Sequence, residues 1–343
     1  MLINSEYIWL DSKNNLRSKN KILNIDIELK NNDKKPSDME IVRSLMNVRL
    51  YPNWNCNAKQ IGDNVSEIIL HPVFVCLDPF KKAPNVFVLC DTYNSDGNPT
   101  EYNTRYTASK MFEKNENLKT IFGFEQEFYV MKLGDNFTML PDTTICKGLP
   151  EKGNQYYCSN GSMNAFGRNL VNKAIGLALE AGLSCSGFNS SSGPAQWEIQ
   201  IGPVQYGISA ADHLIILRFI LARLSENLDI HFSLLPNPLG DEHSLSYCHT
   251  NFSTESMRGS NGYKHIESSV EKLRNTHNKD VQVYGKNNIE IHNNFTSDVT
   301  NRNVSVRIPT ESKKNNKGYL EDRRPLANCD PYLVCETLLK SVL

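Results

Sequence analysis

The sequence has no excess of charge of either sign, no long apolar run and no paired cysteine motif. Its 37 Lys and Arg residues balance 38 Asp and Glu residues, so the whole chain exerts no field that would attract nucleic acid or an anionic membrane. No run approaches the roughly 18 apolar residues of a membrane-spanning helix, and residues 1–15 lack the features of a signal peptide. Nine scattered cysteines without a CxxC pair indicate reduced thiols, not disulfides or a zinc site. These absences predict a cytoplasmic protein that binds neither nucleic acid nor membrane.

The apolar residues that are present suffice for a sizeable core. They make up 39% of 343 residues, a length that suits one large or two ordinary domains. Short β-branched and aromatic runs, separated by polar turns and a polar loop at 30–38, predict a β-rich domain over residues 1–105. Residues 106–343 mix strands with helices, which predicts a second domain built on a largely antiparallel sheet. The expected fold class is α+β.

Three amphipathic helices are predicted in the second domain. Apolar residues recur at helical spacing over 162–181, 209–228 and 262–277. Ser209 and Asp212 are spaced as a capping box at the start of the second helix.

The segment GFEQEF at 123–128 is a predicted strand with two glutamates. Side chains along a strand alternate between faces, so Glu125 and Glu127 share one face while Phe124 and Phe128 share the other. Two carboxylates on one face repel unless a cation lies between them, and such oxygen donors bind Mg²⁺ or Mn²⁺. The alternative, a solvated outer face, fits the spacing alone better because exposed glutamates are common.

Three further segments carry candidate polar groups. Glu198 points away from the apolar residues beside it, which indicates either a lined cavity or a solvated face. His249, Asn251 and Ser253 share one face of a later strand, although a lone histidine is more often a satisfied core residue than a ligand. The charged run Glu321–Arg324 is usual for a solvated loop, but its arginines can also clamp carboxylate or phosphate groups.

Taken in order, these segments resemble the type II, eukaryotic-like glutamine synthetases over nearly the whole chain. The matching segments include FGFEQEF, YYCSNGSMNAFGRN, PAQWEIQIGP, CHTNFSTESMR, NRNVSVRIP and GYLEDRRPLANCDPY. The resemblance implies an N-terminal β-grasp domain and a catalytic domain on a largely antiparallel, curved sheet. It also implies ATP-dependent condensation of glutamate with ammonia through γ-glutamyl phosphate. Divalent cations would neutralise the charge of phosphoryl transfer, and two stacked pentameric rings would place each site between neighbouring subunits.

The resemblance also implies roles for individual residues. Glu125, His249 and Glu321 match the ligands of the cation that holds the ATP phosphates. Glu127 and Glu198 match ligands of the cation beside glutamate. Arg302, Arg307 and Arg323 match arginines that contact substrate carboxylate and phosphates, and Arg302 and Arg323 are expected to be catalytic. The expected nucleotide-binding residues are Asn251, Ser253, Arg258, Arg307, Tyr319 and Glu198, and the implied cofactors are ATP and Mg²⁺ or Mn²⁺.

Four departures from the family pattern fall on the glutamate and ammonia side. Ser191 stands where active members have a third glutamate ligand, and a neutral hydroxyl binds a hard cation far less well. Asn57 replaces an aspartate that helps to deprotonate ammonium in a neighbouring subunit. Leu245 and Tyr247 add bulk where family glycines admit glutamate. The catalytic flap is missing from the stretch 284–295, where Glu290 and His292 have the wrong order and spacing to replace it.

We therefore expect a glutamine-synthetase-like protein that keeps the ATP–metal half of its site and is impaired or inactive in glutamine synthesis. Its role would be regulatory or structural, as a homo-oligomer of decamer type or in co-assembly with an active homologue. The alternative is an active glutamate–ammonia ligase, or a related ATP-dependent C–N ligase with a changed acceptor.

Overall fold

The computed structural model describes most of the chain, in several stretches. These are residues 1–26, 37–62, 65–133, 139–140, 154–162, 164–226, 228–240, 243–285 and 293–343. Residues 30–36 of the predicted surface loop lie outside the described residues. The chain forms two compact units, Met1–Thr107 with Gly176–Leu183 and Ala108–Ile175 with Ser184–Leu343. The assignment of domains to 1–105 and 106–343 stays a prediction.

The first unit contains a five-stranded mixed sheet. Its elements are β1 (Leu2–Leu10), β2 (Leu16–Asn24), α1 (Asp38–Leu45), β3 (Trp54–Asn57), β4 (Glu67–Leu77) and β5 (Val86–Tyr93). The strand order is β2-β1-β5-β4-β3, with a parallel β1–β5 pair at the centre and antiparallel pairs on both sides. Alternation along β1 sends Tyr7 and Trp9 into a core that α1 reaches with Leu45. Helix α1 begins at a capping box formed by Ser37 and Glu40.

The elements after β5 are mainly those of a larger sheet and its helices, and α2 and α3 contribute residues to both units. They are α2 (Thr104–Lys114), β6 (Ile121–Leu133), β7 (Met139–Leu140), α3 (Arg168–Glu180), β8 (Cys185–Ser190), β9 (Gln196–Gln205), α4 (Gly207–Ser225), β10 (Ile230–Ser233), β11 (Cys248–Ser253), α5 (Glu255–Arg258), α6 (Tyr263–Asp280), β12 (Ser297–Val299), β13 (Val306–Ile308), α7 (Thr310–Lys314), β14 (Leu320–Asp322) and α8 (Pro331–Val342). Short 3₁₀ turns occur at Val48–Leu50, Lys59–Ile61, Glu116–Leu118 and Asn154–Tyr156.

The nine-stranded sheet of the second unit is almost wholly antiparallel. Its order is β12-β13-β14-β11-β6-β9-β8, and both β7 and β10 pair with β6. Only the short β12–β13 pair is parallel among the described strands of this sheet. The prediction of an α+β fold with largely antiparallel sheets is confirmed. Within the described part of the chain, no helix has both the length and the apolar character needed to cross a membrane.

The buried side chain of Arg218 joins α4 by hydrogen bonds to the Gln126 face of the central strand β6. Arg218 donates to the side-chain oxygen of Gln126 from Nε and Nη2, at 2.9 and 2.7 Å, and to the Cys329 carbonyl from Nη1 at 2.8 Å. Because side chains alternate along a strand, Gln126 lies on the face opposite Glu125 and Glu127. Helix α4 therefore packs against the Gln126 face of β6. The opposite face, with Glu125 and Glu127, can contact other groups.

The three predicted helices are present, with shifted ends. α3 begins at Arg168, later than predicted, because Gly167 adopts a left-handed backbone with φ of 80°. α6, at Tyr263–Asp280, agrees closely with the predicted range 262–277.

The predicted capping box at the start of α4 is wrong. The helix begins at Gly207, and the residue before it, Tyr206, makes no side-chain cap. Asp212 is instead buried inside the helix face, where it accepts a 2.7 Å hydrogen bond from the Tyr332 hydroxyl. The Asp212 carboxylate therefore binds Tyr332 of α8 and does not make the helix cap that the local pattern predicted.

Candidate functional site

Four neighbouring strands bring the candidate polar residues side by side. In the sheet, β14, β11, β6 and β9 follow one another. Their register pairs His249 with Glu125, and Glu127 with Glu198. Residues at paired positions of adjacent strands project from the same face, so groups distant in the sequence share one surface. Glu127 and Glu198 are only 6% and 9% exposed, which excludes the alternative of a solvated face for these two glutamates.

Glu125, Glu198 and His249 form a group that can hold a cation. Each offers one donor atom, and the three atoms lie within 4.8 Å of one another. His249 is 6% exposed, and its Nδ1 atom has no hydrogen-bond partner among the described residues, although Glu125 Oε2 lies 3.5 Å away. A buried nitrogen without a partner is costly unless an ion or a water molecule contacts it. The donor set therefore fits a divalent cation.

The carboxylates of this group differ in how readily they ionise. Burial by itself raises the pKa of Glu125, but His249, the Asn251 amide and the charge of Arg323 lower it to about 2. Burial, reinforced by the charge of Glu125, raises the pKa of Glu198 to about 7. The site thus has one firmly ionised carboxylate and a second whose negative charge needs a nearby cation to be favourable.

Glu127 lies on the same strand face, but protein groups contact both of its oxygens. The Ser191 hydroxyl donates to Oε1 at 2.5 Å, and the backbone N–H of Tyr247 donates to Oε2 at 2.8 Å. Burial raises the pKa of Glu127, and these two donors oppose that shift. Glu127 is not one of the three grouped donors.

Glu321 is also held by protein groups. It is 1% exposed, and its two oxygens accept hydrogen bonds from Arg307 and, at 2.5 Å, from Arg323. Its Oε1 atom lies 3.8 Å from Nδ1 of His249. Glu321 therefore borders the cation group while forming ion pairs with two arginines.

A cavity of about 410 Å³ opens beside this group. Tyr247, His249, Arg302 and Arg323 line it, together with polar residues of the segment 293–305. Two guanidinium groups in a polar cavity suit a ligand that carries carboxylate or phosphate groups. Both arginines that the sequence suggests as catalytic thus reach one cavity.

The remaining nucleotide candidates occupy the neighbouring strand ends. The side-chain amide of Asn251 donates to Glu125 at 3.0 Å. Arg258 donates to the Ser253 hydroxyl at 2.8 Å and to the carbonyl of Lys119 at 2.5 Å. Tyr319 is 42% exposed, and neither it nor Arg258 is among the described residues that line the cavity.

Comparison with known proteins decides the family. Residues 101–274 match the family model described as glutamine synthetase, catalytic domain. The chain is 36% identical to the glutamine synthetase of Kluyveromyces lactis, over 98% of this chain and 89% of that protein. It is 36% identical to the glutamine synthetase of Yarrowia lipolytica, over 98% and 90%, and 35% identical to that of Agaricus bisporus, over 99% and 93%. The chain belongs to the glutamine synthetase family.

Sequence reasoning missed Gln196, which holds the Ser191 segment in this glutamine synthetase family member. Its side-chain oxygen accepts a 2.7 Å hydrogen bond from the N–H of Gly193. Its amide donates to the Leu245 carbonyl at 2.9 Å and to the Ser246 hydroxyl at 3.0 Å. Strand alternation places Gln196 on the same face as Glu198, and this was the signal that could have revealed it.

Tyr247, at a position where glutamine synthetases are expected to have glycine, covers His249. The two rings stack with centroids 5.2 Å apart and an angle of 18° between their planes. Tyr247 also lines the cavity, so its ring takes up space beside the candidate cation group. That this space is where glutamate would bind stays a prediction.

Two other departures concern parts of the chain outside this cluster. Asn57 ends β3 in the first unit, and its side-chain oxygen accepts a 3.3 Å hydrogen bond from the N–H of Gln60. Residues 286–292 of the expected flap, with Glu290 and His292, lie outside the described residues.

Proposed function

We propose that this glutamine synthetase family member binds ATP with Mg²⁺ or Mn²⁺ and is impaired or inactive in joining glutamate to ammonia. In the family reaction, the γ-carboxylate of glutamate takes the γ-phosphoryl group of ATP, and ammonia then displaces phosphate. The first step needs cations and arginines that neutralise phosphoryl charge. The second needs an enclosed glutamate site and a group that accepts a proton from ammonium.

The observation that carries the proposal is the hydrogen bond from Ser191 to Glu127. The Ser191 hydroxyl lies 2.5 Å from Glu127 Oε1. This neutral hydroxyl stands where the resemblance expects a third carboxylate ligand. A hydroxyl adds no negative charge, so a cation beside glutamate would lose part of its electrostatic stabilisation. Loss of such a cation removes several kcal/mol of transition-state stabilisation, and ~1.4 kcal/mol is tenfold in rate.

The proposal that the protein still binds ATP with a divalent cation is supported by five side chains of the site. Glu125, Glu198 and His249 would hold a divalent cation, which when bound would neutralise the phosphate charge of ATP. Arg302 and Arg323 line the adjacent cavity and would contact the anionic ligand.

A regulatory or structural role follows from this proposal. We infer a cytoplasmic homo-oligomer of the decamer type, or mixed rings with an active homologue. The cysteines are all free in the described part of the chain, as reduced thiols would be. Co-purification with an active synthetase would support mixed rings, and its consistent absence from cells that contain both proteins would refute them.

The second candidate function is a working ligase for glutamate or for another acid and amine. The glutamine synthetase of Kluyveromyces lactis matches over 89% of its length, and the arginine-lined cavity of about 410 Å³ would accept a small acid. ATP hydrolysis stimulated by one acid–amine pair would support this candidate. No stimulation across a broad panel of pairs would exclude it.

Glutamine formation from glutamate, ATP and ammonium, with Mg²⁺ and then Mn²⁺, tests the main proposal. We expect little or no glutamine, together with metal-dependent ATP binding that Glu125→Ala abolishes. Turnover that disappears in the Glu125→Ala variant would show that the altered positions are compensated, and the proposal would be wrong.

A further inference from the structure

We propose that Thr296 and Ser305 are positioning residues, which hold the loop that carries Arg302 in place beside Arg323. The ligand that the two arginines bind is an anion with a carboxylate or phosphate group, because a guanidinium group matches the geometry of both. This inference rests on the proposed function, because it takes Arg302 and Arg323 as the groups that contact the ligand.

Arg302 depends on its loop for its position. It lies between β12, which ends at Val299, and β13, which begins at Val306. Arg302 is exposed and lines the cavity. An exposed arginine side chain has many rotamers, so the backbone of its loop decides where the guanidinium group can reach.

Two hydroxyl groups close the base of this loop. The N–H of Thr296 donates to the Ser305 hydroxyl at 3.1 Å, and the N–H of Ser305 donates to the Thr296 hydroxyl at 3.1 Å. The Ser305 hydroxyl donates in turn to the carbonyl of Asn294 at 3.3 Å. Each of the two residues thus satisfies the backbone N–H of the other, and their side chains join the ends of the segment 296–305.

Ser305 also connects this loop with the second arginine of the cavity. Its carbonyl accepts a 2.9 Å hydrogen bond from the backbone N–H of Arg323. Ser305 is 4% exposed, and hydrogen bonds shielded from water are electrostatically stronger than exposed ones. One buried residue therefore limits how far the loop of Arg302 can move relative to Arg323.

An aromatic side chain anchors the chain directly before the hydroxyl pair. The ring centroid of Phe295 lies 4.8 Å from the guanidinium carbon of Arg274 and 5.6 Å from that of Arg324. The same ring meets the ring of His277 edge-on, with centroids 5.6 Å apart. Cation–π and aromatic contacts of this kind hold a ring in place. The start of the loop is therefore held against α6, which carries Arg274 and His277.

Calorimetric titration of the full chain with two probes, L-glutamate and inorganic phosphate, tests this inference and distinguishes a carboxylate from a phosphate ligand. Thr296→Val removes the hydroxyl and keeps the shape of the side chain. We expect it to weaken binding of the probe that the cavity accepts at least about fivefold, because bidentate contact fails when a guanidinium group shifts by about 1 Å. Thr296→Ser restores a hydroxyl and should bind that probe within about twofold of the unmodified chain.

A double-mutant cycle shows whether Thr296 acts through Arg302. Arg302→Gln should weaken binding of the same probe at least about tenfold. In the Arg302→Gln background, Thr296→Val should weaken binding further by less than about twofold, because no guanidinium group remains to be positioned. A hydroxyl that only stabilised the fold would weaken binding equally in both backgrounds.

Thr107→Val is the matched control. Thr107 is exposed, and its hydroxyl donates to the Thr104 carbonyl at 2.9 Å within α2. We expect this variant to bind the probe within about twofold of the unmodified chain. Ser305→Ala removes the other hydroxyl of the pair and should weaken binding as Thr296→Val does. The melting temperature of each variant shows that it is folded.

The inference would be overturned if the unmodified chain bound neither probe, if folded Thr296→Val bound as well as the unmodified chain, or if Thr296→Val weakened binding equally in both backgrounds. Equal weakening together with metal-dependent ATP binding would leave the proposed function standing. Glutamine formation by the unmodified chain would refute the proposed function, and the same cycle could then be measured as the KM for glutamate. The two can therefore fail separately.

Discussion

The ring of Tyr247 stacks on the imidazole of His249, with centroids 5.2 Å apart. The same residue donates its backbone N–H to Glu127. One side chain thus covers a candidate cation ligand and narrows the cavity, while its backbone holds a neighbouring carboxylate. Because the backbone contact does not depend on the side chain, the two effects can be separated by substitution.

Restoring the family residues at positions 191 and 247 should recover part of the activity, while Asn57 and the altered stretch 284–295 continue to limit the rate. Ser191→Glu supplies the missing carboxylate beside Glu127, and Tyr247→Gly clears the cavity while keeping the N–H that contacts Glu127. We expect the double variant to form glutamine at least about tenfold faster than the unmodified chain, since a restored cation site contributes more than ~1.4 kcal/mol to the transition state. Ser191→Ala with Tyr247→Gly is the control and should show no gain. Equal rates in both double variants would argue against the importance of position 191.

Gln196 should be a major source of stability for the segment that carries Ser191. Gln196→Ala removes three hydrogen bonds and leaves the partner groups of Gly193, Leu245 and Ser246 without a contact. We expect a loss of about 2–4 kcal/mol in the free energy of unfolding, measured by urea denaturation. Gln205→Ala removes the same side chain from an exposed position of the same strand and should cost less than about 0.5 kcal/mol. If Gln196→Ala and Gln205→Ala lost similar amounts of unfolding free energy, the stabilising role of Gln196 would be contradicted.

A buried ionic network behind the site should also be essential for stability. Arg324 is 0% exposed and contacts Asp322 through two nitrogens, at 2.9 and 2.7 Å, and Asp280 at 3.3 Å. Arg324→Met leaves two buried carboxylates without their partner and should cost about 3–5 kcal/mol. Arg274→Met breaks an exposed pair with Glu271, together with a 3.2 Å hydrogen bond to Ser297 and a ring contact with Phe295, and should cost about 1 kcal/mol or less. If both variants lost about 1 kcal/mol of unfolding free energy or less, the ionic network around Arg324 would not be essential for stability.

His213 should make stability sensitive to mild acid. Its Nδ1 accepts a 3.0 Å hydrogen bond from the Ser184 N–H, so the fold requires that nitrogen to be unprotonated. Burial lowers the pKa of His213, with opposition from Asp212. As the pH falls, the unfolded chain, with a histidine pKa of about 6.5, takes up the proton before the folded chain, and the free energy of unfolding decreases.

His213→Asn tests this, because asparagine keeps an acceptor oxygen near the position of Nδ1 and does not titrate. Between about pH 7.5 and pH 5.5 the variant should lose less unfolding free energy than the unmodified chain. His265→Asn, at an exposed histidine of α6, should lose as much as the unmodified chain. Equal pH dependence in all three proteins would exclude His213 as the source.

Local periodicity was enough to place Glu125 and Glu127 on one face of a strand, but it could not separate their roles. The difference comes from partners distant in the sequence. Ser191 lies 64 residues and Tyr247 lies 120 residues from Glu127. Their contacts exist only after β6, β9 and β11 have assembled. The capping box at Asp212 failed for the same reason, since its partner Tyr332 belongs to the last helix.

The most direct test of the central claim follows one oxygen atom. In the family reaction, an oxygen of the glutamate γ-carboxylate leaves with phosphate when ammonia displaces it. The protein is therefore incubated with ¹⁸O-labelled glutamate, ATP, ammonium and Mg²⁺ or Mn²⁺, and the released phosphate is analysed by mass spectrometry. We predict metal-dependent ATP binding with no ¹⁸O in phosphate above the level of the Glu125→Ala variant. If labelled phosphate formed in an amount equal to glutamine, and neither formed with Glu125→Ala, the proposal of impaired glutamine synthesis would be contradicted.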